Sequence, residues 1–237
     1  MLNDQTLVRG AVAEGVGTAL LVAIVVGSGI FAQRLSPGDE GLQLLENSTA
    51  TAFGLMALIL TFGKVSGAHF NPVVTLADRF LGGIDTPRAL AYIGAQVVGG
   101  CAGAIIANLM FELPAVEWST HTRSGGGLWL GEVVATFGLL TVILGVVRSG
   151  RAAAVPFAVG AYIGAAYWFT SSTSFANPAV TIARALTDSF AGIRPRSVPL
   201  FVLAQCAGAV VAVALGRFLH PDLPSEAERI VLPHDGA

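Results

Sequence analysis

Two short segments hold the residue types best suited to handling a polar solute. They read His69-Phe-Asn-Pro-Val-Val-Thr75 and Phe175-Ala-Asn-Pro-Ala-Val-Thr181. In each, the Asn stands where it caps a helix, with Pro72 or Pro178 at the first helical position, where a missing amide costs nothing. Apolar residues follow: Val-Val-Thr-Leu-Ala before Asp78, and Ala-Val-Thr-Ile-Ala before Arg184. The spacing predicts two apolar helices of two or three turns, each starting at Asn71 or Asn177. An Asn whose oxygen caps its own helix leaves its amide NH₂ free to face a solute. The helix start adds roughly half a positive charge. The chemistry on offer is hydrogen-bond donation rather than bond making.

One Asn-Pro pair is an ordinary helix start, but here the pairs belong to a duplication. Ala13-Glu-Gly-Val-Gly-Thr18 matches Gly131-Glu-Val-Val-Ala-Thr136, and Ala95-Gln-Val-Val-Gly-Gly100 matches Ala204-Gln-Cys-Ala-Gly-Ala209. With the Asn-Pro segments, the offsets are 118, 106 and 109 residues, in the same order along the chain. Such internal repeats point to a fold built from two related halves.

The elements that position these segments follow from charge spacing. Of 237 residues, 54% are apolar and 12% charged, about half the ~25% charge of soluble domains. Charge-free runs cover Gly15–Gln33, Asn47–Gly63, Ala89–Phe111, Val133–Val147, Ala152–Ala183 and Ser197–Gly216. A spanning helix needs roughly 20 mainly apolar residues, so six spans are expected, the fifth ending near Phe169. With three spans per half, the second half enters the membrane from the opposite side. Inverted repeats of that kind place a solute path at their interface. Each short Asn-Pro helix then reads as a re-entrant half-helix, because irregular backbone at membrane depth must be buried or line a wet cavity. The whole chain, 1–237, reads as one all-α membrane domain: repeat halves near 8–111 and 128–219, and a polar tail at 220–237. Basic residues number eight on one side and five on the other if the N-terminus faces the cytoplasm, which favours cytoplasmic termini and a plasma-membrane location.

Several function classes fall away. Net charge is −2 and nothing suggests nucleic-acid binding. Cys101 and Cys206 lie in apolar runs without a metal-binding pattern and read as small buried residues. Of four histidines, only His69 falls at membrane depth; it is expected to face the pore or brace a loop, and no metal or cofactor is expected. A hydrolase would need a nucleophile–base pair, for which there is no set. Glu14 and Glu132 sit inside apolar helices, where a carboxylate is a functional candidate. One reading is a proton relay. The preferred one is structural: each accepts backbone N–H groups from the non-helical stretch before a half-helix. Gly99, Gly100, Gly103, Gly208 and Gly216 are expected to allow close helix contact.

The Ser66-Gly-Ala-His-Phe-Asn-Pro-Val-Val-Thr75 and Asn177-Pro-Ala-Val-Thr181 motifs, with Glu14 and Glu132, resemble the aquaporin and aquaglyceroporin (major intrinsic protein) family over about residues 8–219. The resemblance implies a homotetramer with a pore in every subunit. It implies passage of water or small uncharged solutes without a cofactor, through half-helices carrying Asn71, Pro72, Val73, Asn177, Pro178 and Ala179. Val73 replaces the family's usual Ala. Val180 stands where the family usually has the Arg of its outer constriction, and Arg184, a turn later, is not expected to take its place. Thr51 and Ser174 follow by spacing as two further constriction residues. The helix-five residue is Ala165 counted from Asn177, or Tyr167 counted from Gly160. Such a constriction would be wide and uncharged, with cation exclusion left to helix dipoles and desolvation. An aliphatic residue in place of that Arg resembles a bacterial subgroup associated with arsenic-resistance operons, which suggests glycerol-like polyols and neutral arsenous acid beside water. The competing class is an ion- or proton-coupled secondary transporter, which also uses inverted repeats and broken helices.

Overall fold

The computed structural model describes residues 4–220. The expected polar tail, with Arg229 and His234, lies outside the described residues except for His220. Eight helices follow in order: α1 Asp4–Leu35, α2 Glu40–Ser66, α3 Pro72–Leu81, α4 Thr86–Met110, α5 Gly126–Arg148, α6 Val155–Phe169, α7 Pro178–Ala183 and α8 Val198–Leu219. Six of them, α1, α2, α4, α5, α6 and α8, are long and apolar enough to cross a membrane. The two shorter ones, α3 and α7, begin at Pro72 and Pro178. They are the expected half-helices, and α7 is the shorter, continued by a tight turn over Arg184–Leu186.

Local chemistry explains the boundaries. Asp39 and Asp85 cap α2 and α4, accepting from the amides of Leu42 and Arg88. Gly67 and Gly82 end α2 and α3 at φ 87° and 94°, backbone that a side chain would strain. The spanning helices are apolar on nearly every side. Phe53, Leu90, Val98, Leu203 and Val210 are exposed on their outer faces, as a lipid environment allows. Inward, each half buries a set of polar side chains, among them Glu14, Gln96, Thr75 and their counterparts Glu132, Gln205, Thr181.

The halves pack alike. In the first, α1 lies against α4; in the second, α5 lies against α8. The small-residue contacts fall where the duplication put glycine. A Cβ on Gly99 would collide with the Gly15 carbonyl, and one on Gly103 with that of Ala19. On α8, a Cβ on Gly208 would meet the Val133 carbonyl of α5. Each half-helix also touches the opposite half: α3 packs on α4 and α8, α7 on α8 and α4. Cys101 and Cys206 are half-buried free thiols rather than fully buried residues.

Candidate functional site: a polar seam between two half-helices

The backbone leading into each half-helix runs against L-residue preference. Gly67, Ala68 and Phe70 have φ of 87°, 52° and 48°; the repeat-related Thr173, Ser174 and Ala176 have 60°, 50° and 48°. A non-glycine residue in this region costs roughly 1–3 kcal/mol, and its amides cannot join a helix ladder. Buried carboxylates supply the missing partners. Glu14 accepts from Ser66 Oγ (2.6 Å), the His69 amide (2.9 Å), the Phe70 amide (2.6 Å) and Gln96 Nε2 (2.7 Å). Glu132 accepts from the amides of Phe175 and Ala176, both at 2.9 Å, and from Gln205 Nε2 at 2.6 Å. Each glutamine passes its second amide hydrogen to a threonine of the half-helix: Gln96 to Thr75 (2.9 Å) and Gln205 to Thr181 (2.8 Å). Sequence reasoning used Gln96 and Gln205 only as repeat markers. Their place in the matched segments was the signal that they belong to the same device as the carboxylates.

The two Asn caps meet across the repeat. Asn71 Oδ1 accepts from the Val73 amide at 3.1 Å, and Asn177 Oδ1 from those of Ala179 and Val180 at 3.0 and 3.2 Å. Their amides do not both stay free. Asn71 Nδ2 donates to the Ala176 carbonyl and Asn177 Nδ2 to the Phe70 carbonyl, each at 2.8 Å. One hydrogen of each NH₂ therefore ties the halves together, and one remains for a solute. That corrects the expectation of two fully free amides.

A cavity runs along this junction. Its apolar wall includes Leu21, Val25, Leu55, Ile59, Leu139, Ile143, Val159 and Val180. Its polar side holds Asn71, Asn177, Thr51, Tyr167, Ser174, Arg184 and the loop residues Gly67, Ala68 and His69. Among the described residues, no hydrogen bond reaches the carbonyls of Gly67, Ala68 and His69, leaving acceptors beside the Asn donors. The cavity thus presents donors and acceptors together on one side of an otherwise apolar wall.

The expected residues divide. Thr51, Ser174 and Val180 line the cavity, as do Asn71 and Asn177. Pro72, Val73, Pro178 and Ala179 are buried but do not line it; they pack the half-helices into their surroundings. Ala165 is exposed on the outside of α6, while Tyr167 lines the cavity and its hydroxyl lies 3.2 Å from Thr51 Oγ1. The count from Gly160 is the one that matches the geometry, because the loop after α6 is short and the count from Asn177 misplaces the helix face. Arg184 also lines the cavity, against the expectation that a residue one turn beyond Val180 would stand apart.

The repeat positions near each half-helix have diverged in chemistry while keeping geometry. His69 Nε2 lies 3.4 Å from Asp78 Oδ2, its Nδ1 lies 3.1 Å from Thr75 Oγ1, and its ring meets Tyr92 edge-on at 5.7 Å. The His69 ring is held through Nδ1, while Nε2 only approaches the Asp78 carboxylate. In the second half, Phe175 takes the place of His69, Phe201 that of Tyr92 (5.3 Å, edge-on), and Arg184 that of Asp78. The Arg184 guanidinium carbon lies 3.4 Å from the Phe175 ring centre. A histidine–carboxylate contact on one side is thus replaced by a cation–π stack on the other.

A two-half helical bundle whose two capped half-helices meet at a polar-lined cavity has the build of a membrane channel, and this chain belongs to the major intrinsic protein family, whose model matches residues 1–174 and 150–236. Among its relatives, aquaglyceroporin AqpS of Rhizobium meliloti (strain 1021) is 51% identical over 218 residues, covering 92% of this chain and 93% of that protein. The probable aquaporin AqpM of Archaeoglobus fulgidus is 30% identical, covering 91% and 98%. The aquaglyceroporin structure from Plasmodium falciparum superposes with a TM-score of 0.68 at 24% identity, over 92% of this chain and 98% of that one, a likeness of fold. The chain is a passive membrane channel for water and small solutes.

Proposed function

We propose that the cavity between the half-helices is the conduction path for small uncharged solutes: glycerol-like polyols, neutral metalloid hydroxides such as arsenous acid, and water. The observation that carries this reading is the pairing of Asn71 and Asn177 in one cavity, each with an amide hydrogen to spare, on a wall otherwise mostly apolar. Val180 supports the wider solute range, since an aliphatic side chain there takes less room than the usual Arg and donates nothing. The name of the 51%-identical relative, an aquaglyceroporin, supports it too. Coupled transport is the weaker reading. A coupling ion needs a carboxylate with oxygens to spare at the midplane, and both oxygens of Glu14 and of Glu132 are already spent on protein donors.

The functional unit is a homotetramer with one pore per subunit, set in the cell's inner membrane with both termini cytoplasmic. The orientation rests on the excess of Lys and Arg on that side. Stopped-flow light scattering on proteoliposomes tests the proposal with water, glycerol, urea and arsenous acid. Linear flux without an ion gradient is expected for each. Saturating or gradient-dependent flux would identify a transporter instead.

A further inference from the structure

We propose that Arg184 is a specificity-determining residue of this pore, a fixed cation delivered to the solute path from one turn beyond the position that Val180 leaves empty of charge. The proposal rests on the channel reading above. Helical rise places the Arg184 backbone about 6 Å past that of Val180. Side chains on a helix tilt toward its N-terminus, so a long one covers the turn before its own Cα. Arg184 does this: its guanidinium lies back over Phe175, the residue next to Ser174. The charge therefore reaches the level of the loop that precedes the half-helix.

Its partners leave most of the guanidinium unspent. Nε donates to the Ala191 carbonyl. Among the described residues, its two terminal amines make no hydrogen bond, and no carboxylate forms an ion pair with it. The residue is 2% exposed yet lines the cavity. Beside it, Ser174 Oγ is buried without a hydrogen-bond partner, and the Thr51–Tyr167 hydroxyl pair lines the same cavity. The Arg123 guanidinium carbon lies 5.1 Å from the same ring centre, but its Nε and one terminal amine donate to the Gly192 and Phe190 carbonyls, and it does not line the cavity.

This arrangement separates two properties that an arginine at position 180 would combine. Val180 releases width, while Arg184 keeps the positive charge and its donors. The pore then admits broad neutral solutes bearing acceptor oxygens and still repels cations. Cation exclusion does not fall to helix dipoles and desolvation alone.

Urea and guanidinium make a matched test, being planar and of similar size but differing in charge. Their uptake is measured at low concentration in proteoliposomes holding the full chain. For Arg184→Gln, which keeps a donor for the Ala191 carbonyl, the guanidinium-to-urea flux ratio should rise at least tenfold. Arg184→Lys, which keeps the charge, should stay within about threefold of the parent. Arg123→Gln should leave the ratio within twofold. A folded Arg184→Gln protein with a ratio within twofold of the parent would make Arg184 a structural clamp and overturn the proposal. So would an Arg184→Lys protein that leaks guanidinium tenfold, a result that decides the matter even if the Gln variant does not fold. A parent that carries neither urea nor glycerol above protein-free vesicles overturns the wide-solute reading proposed above, and this proposal with it.

Discussion

Replacing Glu132 by Ala should cost far more than replacing it by Gln. In the Ala variant, the amides of Phe175 and Ala176 and one hydrogen of Gln205 lose their acceptor. Each buried donor left unpaired costs roughly 1–3 kcal/mol, so the total is about 3–9 kcal/mol, comparable to the whole stability of many proteins. The strained backbone at Ser174 and Ala176 loses its brace at the same time. In the Gln variant one oxygen still accepts, while the new NH₂ faces a donor. Gln205 could turn its own amide, since its Oε1 has no partner. That would aim an oxygen at Thr181 Oγ1, whose hydrogen is already given to the Asn177 carbonyl at 2.7 Å. Gln therefore forfeits roughly one donor's pairing, about 1–3 kcal/mol. At about 2–4 °C per kcal/mol for a chain of this size, the two variants should differ by about 4 °C or more in detergent. Thermal unfolding followed by tryptophan fluorescence, with size-exclusion chromatography for folded yield, reads the difference. Midpoints within about 1 °C of each other would refute the bracing role. A folded Glu132→Gln protein that loses a pH-dependent flux would point to proton transfer instead.

Asn71→Asp and Asn177→Asp keep the cap acceptor but set a carboxylate against the Ala176 or Phe70 carbonyl; both should lower folded yield or glycerol flux in proteoliposomes, and unchanged yield and flux in both would count against the crossed-cap arrangement. Gly99→Val should abolish folding by forcing α1 from α4, whereas Gly94→Ala, with nothing within 4 Å of the added carbon, should express and conduct like the parent; equal yields would show that the α1–α4 contact is not close. Val180→Arg should reduce glycerol, urea and arsenous-acid flux much more than water flux, and an equal reduction would remove Val180 from the selective region. Tyr167→Ala should raise the glycerol-to-water ratio, while Ala165→Ser, on the outer face, should not change it; the reverse pattern in the same stopped-flow assay would restore the count from Asn177.

Much of this protein is legible in its sequence, for reasons local to the chain. Lipid disfavours charge in any segment that crosses it, so six charge-free runs mark the six long helices, the fifth running on through the half-helix α7. The half-helix starts were readable because Asn before Pro satisfies the cap within a few residues, with Asn71 bonding to Val73 and Asn177 to Ala179. The duplication was visible because both halves need the same small residues and the same carboxylates. What the chain order could not settle depended on partners far away. The second role of each Asn lies with a carbonyl more than 100 residues distant. Ala165 and Tyr167 differ only in which side of α6 they occupy, and the helix rotation is set by packing against α2, where Thr51 meets Tyr167. Arg184 looked misplaced when positions were counted along the backbone. Its charge sits where the side chain carries it, back over Phe175, and that direction exists only once the half-helix is folded against the loop before it.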